Sequence, residues 1–100
     1  MIKHIVMWKF KENAEGKTKE ENMAFVRDSL YALRGVIDEI KAMEIGFDVT
    51  HSDMSMDLVL ITEFESVETM KAYAVHPEHV KVSTYVRKVI ESRVVLDYNM

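Results

Sequence analysis

The order in which strand-like and helix-like hydrophobic patterns follow one another constrains the fold of this 100-residue chain more than any other feature. Over residues 2 to 11 the side chains alternate with the two-residue period of a strand. Over residues 18 to 35 the apolar residues recur at helical spacing, beginning at the capping-box pair Thr18 and Glu21 and ending at Gly35. The chain therefore opens with a strand and an amphipathic helix.

The rest of the chain predicts two further strands, two short helices and a closing strand. Residues 38 to 49 and 57 to 65 have strand patterns, and the polar residues between them predict a hairpin loop. Ser66 is a suitable cap for a second helix, and Pro77 marks the start of a third. Residues 93 to 98 predict the last strand. The order is thus β-α-β-β-α(α)-β.

This order predicts an α+β fold of ferredoxin-like type, with helices packed on one face of a four-stranded antiparallel sheet. One hundred residues are enough for a single domain spanning 1–100. Both sides of the strands carry apolar side chains, so we expect the helix-free face to be buried in a homodimer, although scattered surface apolar residues are an alternative explanation. The residues that suggest this are Ile5, Met7, Val59, Ile61 and Val95.

Composition excludes several functional classes. The formal charge is −4, and the lysines near the amino terminus are interleaved with glutamates, so we expect no nucleic-acid partner. Absence of cysteine excludes disulfides, thiolate metal sites and a cysteine nucleophile, and it fits a reducing compartment. Lys3, Lys9 and Lys11 interrupt the apolar residues of the amino terminus, which predicts neither a signal peptide nor a membrane span. We therefore expect a cytoplasmic protein.

The segment from Tyr73 to His79 places polar side chains around the only proline. Pro77 suits the first position of a helix and pushes His76 toward extended geometry, so His76 is the predicted boundary residue. His79 then lies at the third helical position, beside free backbone N–H groups and the positive end of the helix dipole. We expect its imidazole to be neutral and basic.

His79 also shares one helical face with three valines, at Val82, Val86 and Val89. One hypothesis is a histidine at the edge of the core, satisfied by a backbone carbonyl or a tyrosine hydroxyl. The other is a functional site, because polar groups cluster here in an apolar setting. His76, His79 and Glu78 lack the spacing of a metal site, and we expect neither a metal nor a cofactor.

Three segments of the chain resemble the Dabb family, the stress-responsive dimeric A/B barrel proteins. They are Lys3–Lys11 (KHIVMWKFK), Thr62–Met70 (TEFESVETM) and Tyr73–Val80 (YAVHPEHV). The resemblance spans essentially the full length. It implies a ferredoxin-like subunit whose sheet pairs with that of a second subunit to close a dimeric α+β barrel.

A plant member of this family closes a polyketide thioester by an intramolecular aldol reaction. Resemblance to its motif implies that Tyr73 and His79 are a catalytic pair and that His4 lines the pocket. The chain departs from the cyclase at Leu58, where the cyclase has a further pocket histidine, which implies a more apolar pocket and a different substrate.

Two functional hypotheses follow. The first is an isomerase, cyclase or lyase acting on a small carbonyl compound, in which His79 removes an α proton and Tyr73 hydrogen-bonds the enolate oxygen. In this hypothesis His4, Trp8 and His76 line the pocket. The second is a noncatalytic stress-related or ligand-binding dimer, in which Tyr73 and His79 satisfy each other. A cavity beside His79 that reaches solvent favours the first, and a dry packed core favours the second.

Overall fold

Four long strands form one antiparallel sheet in the computed structural model, which describes all 100 residues. They are β1 (Ile2–Phe10), β4 (Ala42–Phe47), β5 (Leu58–Phe64) and β6 (Ile90–Asn99), in the spatial order β4-β5-β1-β6. A short hairpin, β2 (Asn13–Ala14) and β3 (Lys17–Thr18), precedes the first helix. The first strand is central, because it pairs antiparallel with both β5 and β6. The predicted ferredoxin-like fold is confirmed.

Three α-helices pack on one face of this sheet. They are α1 (Lys19–Ala32), which continues into a 3₁₀ turn at Leu33–Gly35, α2 (Val67–Val75) and α3 (Pro77–Val89). Capping boxes start α1 at Thr18 and α2 at Ser66, since each side chain accepts a backbone N–H from the third helical residue. None of the helices is long and apolar enough to cross a membrane.

Alternation along β1 builds the core, as the sequence predicts. Its even-numbered residues face the helices, and Val6, Trp8 and Phe10 are buried there. The neighbouring strand, the helices and the segment that follows α1 complete this core with Leu58, Leu60, Phe64, Val26, Leu30, Leu33, Ile37, Tyr73, Val86 and Val89. The apolar face of α3 thus packs on the sheet, and His79 lies at the amino-terminal end of that face.

Two predicted boundaries differ from the structure. The strand expected over residues 38 to 49 is confined to Ala42–Phe47, because residues 38 and 39 form a turn in which Ile40 N–H bonds the Ile37 carbonyl. The closing strand is longer than predicted and begins at Ile90. The hairpin at 13 to 18 has no strand pattern in the sequence, and its turn holds Glu15 and Gly16 at φ values of 52° and 75°.

The helix-free face of the sheet is apolar. Met7 and its neighbour Ile5 lie on it, together with Val59 and Ile61 of the adjacent strand, because paired residues project to the same side. Its β6 members are Val94, Leu96 and Tyr98. Val95 pairs with Val6 and so lies on the helix side, at the exposed edge of the sheet.

Candidate active site

A cavity of about 460 Å³ lies between the sheet and the helices α2 and α3. Ten of its sixteen lining residues are hydrophobic, which is typical of small-molecule sites. His4 and Trp8 contribute to the sheet wall, whereas Tyr73 and His79 come from the two helices. Several residues on its rim are exposed, so the cavity reaches the protein surface.

The corner between α2 and α3 brings Tyr73 and His79 together. His76 is both the C-cap of α2 and the N-cap of α3, with an extended backbone at φ −61° and ψ 133°. Its N–H bonds the Tyr73 carbonyl at 3.1 Å, and its Nδ1 accepts the Glu78 N–H at 3.1 Å. The Tyr73 and His79 ring centroids consequently lie 4.2 Å apart.

The protonation of His79 follows from its hydrogen bond. Its Nδ1 lies 3.0 Å from the Ala74 carbonyl oxygen. Because a carbonyl only accepts, Nδ1 must carry the hydrogen, and Nε2 of the neutral ring is the basic nitrogen. Burial lowers the pKa of His79, the Ala74 carbonyl opposes this effect, and the charges of His4, Arg93 and His76 lower the pKa further.

Two buried hydrogen-bond donors in the cavity wall have no partner. They are the Tyr73 hydroxyl and the Trp8 indole N–H. Tyr73 is only 2% exposed, and burial raises the pKa of its hydroxyl, which therefore stays protonated. Nearly all buried polar groups in proteins are paired, so two unpaired donors on one cavity indicate places where a ligand acceptor can bind.

His4 contributes a second imidazole to the sheet wall. It lies opposite Asp97 in the pairing of β1 with β6, and its Nδ1 bonds the Asp97 carboxylate. Its ring meets Tyr73 edge-on, with centroids 6.5 Å apart. The carboxylate therefore fixes the orientation of the imidazole beside the aromatic ring.

The structure brings four of the five sequence-predicted site residues to the cavity. They are His4, Trp8, Tyr73 and His79. His76 does not line it, because its ring caps α3 instead. Leu58 also lies away from the lining, buried beside Trp8 in the sheet.

No group of three or more histidine or acidic side chains is arranged to hold a metal ion.

Sequence reasoning missed the polar residues of the cavity rim. Ser83 and Arg87 follow His79 at offsets of four and eight, so their helical spacing is a signal that could have found them. Arg93 lies directly opposite Trp8 in the neighbouring strand. That placement depends on the β1–β6 register, which no local pattern specifies.

Comparison with known proteins identifies the family. The family model for the Stress responsive A/B Barrel Domain, Dabb, matches residues 2–100. The chain belongs to the Dabb family. It is 33% identical over 99 residues to a Cannabis sativa protein named olivetolic acid cyclase, covering 97% of this chain and 94% of that protein. It is 28% identical to the stress-response A/B barrel domain-containing protein HS1 of Arabidopsis thaliana, covering 97% of this chain and 87% of that protein.

Solved structures of similar proteins share the fold. One from Bacteroides fragilis, described as a dimeric protein of unknown function with a ferredoxin-like fold, superimposes with a TM-score of 0.82 at 28% identity. The match covers 99% of this Dabb chain and 95% of that chain. The family resemblance expected from the sequence is thus confirmed.

Proposed function

We propose that this Dabb protein is an enzyme that transfers a proton α to the carbonyl group of a small compound, as isomerases, cyclases and some lyases do. The observation that carries the proposal is the buried Tyr73 hydroxyl, which has no partner and lies on a cavity beside the His79 ring. Similarity to a protein named olivetolic acid cyclase, at 33% identity over 99 residues, supports this class of chemistry.

In the proposed reaction His79 is the base. Its Nδ1 is held by the Ala74 carbonyl, so the Nε2 lone pair takes the α proton and the C–H electron pair moves into the enolate. The low pKa of His79 keeps the ring neutral and able to accept that proton near neutral pH. The imidazolium becomes neutral again when it returns the proton to carbon. If the enolate carbon instead attacks a second carbonyl, the imidazolium gives the proton to the alkoxide that forms.

Tyr73 and Trp8 are the proposed donors to the oxygen on which negative charge develops. Both donors are buried, so their hydrogen bonds to that oxygen form in a site of low dielectric. Since neither donor has a partner in the protein, a ligand oxygen replaces no existing bond. The enolate carries more charge than the ketone, which makes these hydrogen bonds stronger during the reaction.

The alternative is a noncatalytic ligand-binding or stress-related dimer in which Tyr73 and His79 satisfy each other. That arrangement requires a hydrogen bond between them and a packed core. The missing partner of the Tyr73 hydroxyl and the cavity beside it support the enzymatic hypothesis instead.

The proposed assembly is a homodimer closed through the helix-free face of the sheet. Leu96 is 59% exposed on this face in the single chain, and Val94 and Tyr98 beside it are also exposed. An apolar patch of this kind is a typical subunit interface. The dimeric description of the similar Bacteroides fragilis protein supports this arrangement.

Hydrogen–deuterium exchange at the α carbon tests the activity without knowledge of the natural substrate. Aryl methyl ketones are incubated with the protein in deuterated water, and loss of the methyl proton signal is followed by NMR. We expect wild-type protein to accelerate exchange, His79→Gln to lose activity by about 10²- to 10⁴-fold and Tyr73→Phe by about 10²- to 10³-fold.

Folding controls separate loss of chemistry from loss of structure. Tyr73→Phe removes a buried hydroxyl without a partner, so its free energy of unfolding should stay the same or rise by about 1 kcal/mol. His79→Gln should cost about 1 to 2 kcal/mol. The control His51→Asn lies at an exposed loop position with φ 52°, a backbone conformation that asparagine tolerates, so it should change neither the exchange rate nor the free energy of unfolding. Exchange rates that are equal in wild type and His79→Gln would support the noncatalytic alternative.

A further inference from the structure

The cavity rim carries an excess of positive charge that the proposed proton transfer does not use. Lys71, Arg87 and Arg93 line the cavity, and its sixteen residues include no aspartate or glutamate. This is notable because the whole chain has more acidic than basic residues, 17 against 13. Charge complementarity with a ligand is a direct explanation for such a local reversal.

These cations lack the acidic partners that neighbouring cations have. On α3, Lys81 bonds Glu78 at 3.0 Å and Lys88 lies 4.0 Å from Glu15. Arg87, on the same helix, has only a 3.3 Å hydrogen bond to the Thr84 hydroxyl.

Arg93 and Lys71 have no hydrogen bond or ion pair from their side chains to any part of the chain. Their donors are thus available at the cavity mouth.

The position of Arg93 relates this charge to the reacting groups. It lies opposite Trp8 across the β1–β6 pairing, and Trp8 carries one of the two unpaired buried donors. Arg93 lines the same cavity as Tyr73 and His79. Burial raises the pKa of Tyr73 and lowers that of His79, and the Arg93 charge opposes the first effect and adds to the second.

We propose that the cavity binds carbonyl compounds that carry an anionic group, a carboxylate or a phosphate, and that Arg93 and Arg87 hold that group at the rim. The inference rests on the proposed function for the carbonyl end of the ligand. A planar guanidinium binds either anion through two parallel hydrogen bonds, which fixes the ligand's orientation as well as its position. The anion stays at the exposed mouth while the carbonyl reaches the buried donors of Trp8 and Tyr73.

A set of matched ligands tests the anion subsite. The probes are para-acetylbenzoate, para-acetylphenyl phosphate and the neutral para-acetylbenzamide, which has nearly the shape of the benzoate. Binding is followed through the indole N–H signal of Trp8 in proton–nitrogen NMR spectra, which is unambiguous because the chain has one tryptophan and it lines the cavity. We expect the benzoate to bind wild type about 10-fold more tightly than the benzamide.

Single substitutions locate the effect. Arg93→Gln and Arg87→Gln should each reduce the preference for the benzoate, and the double variant should reduce it to about 2-fold or less. Lys88→Gln is the matched control, since Lys88 adjoins Arg87 on α3 but does not line the cavity, and its preference should equal that of wild type. Both arginines are exposed, so thermal melts should show folded variants.

The outcomes separate the subsite from the chemistry. His79→Gln should lose α-proton exchange yet keep the preference for the benzoate, because the arginines remain. The subsite would be overturned if wild type binds the neutral and anionic ligands equally or binds neither. It would also be overturned if the double variant keeps the preference for the benzoate. Preference without exchange in wild type would overturn the proposed activity alone. A phosphate ligand that binds more tightly than the benzoate would identify phosphate as the anion held at the rim.

Discussion

His79 lies in surroundings that act on its proton in opposite directions. Burial and the nearby basic groups of His4, Arg93 and His76 disfavour the imidazolium, whereas the Ala74 carbonyl favours a hydrogen on Nδ1. The net effect is a lowered pKa together with a fixed tautomer. A neutral ring with a defined basic nitrogen is what a general base needs at neutral pH.

The protonation of His79 gives a testable pH dependence. Its pKa in the folded protein should lie below the ordinary value of 6.5. As pH falls, the unfolded state takes up this proton first, so the stabilising contribution of neutral His79 is complete above about pH 6.5 and is lost as pH falls through the folded pKa. Exchange activity should rise with pH through the same lowered value. An NMR titration of the His79 ring that gives a pKa at or above 6.5 would contradict this assignment.

The corner between α2 and α3 is the element that assembles the site. The two helices share a single residue, His76, as the cap of both, and Pro77 fixes the start of the second helix. The predicted boundary at His76 and Pro77 is therefore confirmed. The structure adds that the His76 ring replaces the serine or aspartate that more commonly caps a helix.

Substitution of His76 tests this capping role. His76→Ala removes the acceptor for the Glu78 N–H, so the free energy of unfolding should fall by about 1 kcal/mol. His76→Asn supplies a similar acceptor and should restore most of that loss in urea denaturation. The exchange activity of His76→Asn should resemble that of wild type, because the His76 ring does not line the cavity. Equal stability of the two variants would show that the cap contributes nothing.

Elements with local signals could be predicted from the sequence, whereas contacts set by the register between strands could not. Thr18, Ser66 and Pro77 mark helix starts through chemistry contained within four residues, so the helices and their caps were predictable. The clustering of Tyr73 and His79 around Pro77 followed from the same local logic, whereas their pairing as catalytic groups was implied by the family resemblance. Arg93 joined the site only through its register with Trp8, a contact between residues 85 positions apart.

At the scale of the whole molecule, one face of the sheet determines the expected assembly. Helices cover only the side that carries Val6 and Trp8, and the opposite side exposes Met7, Leu96 and Tyr98. Burying these side chains against a second copy would remove apolar surface from water and stabilise both subunits. This exposed apolar layer is therefore the face through which we propose that two chains associate.

A charge on that face should prevent association without unfolding the subunit. Leu96→Lys introduces the charge at a position that is 59% exposed in the single chain, so the monomer can keep the lysine in water whereas a dimer would bury it unpaired. Sedimentation velocity at micromolar concentration should show a dimer for wild type and a monomer for this variant. Val49→Lys is the control, because Val49 is 84% exposed in the loop between β4 and β5, outside the strands of the sheet, and its variant should remain dimeric. A monomeric wild type, or a Leu96→Lys protein as dimeric as the control, would mean that the apolar face is not the interface between subunits.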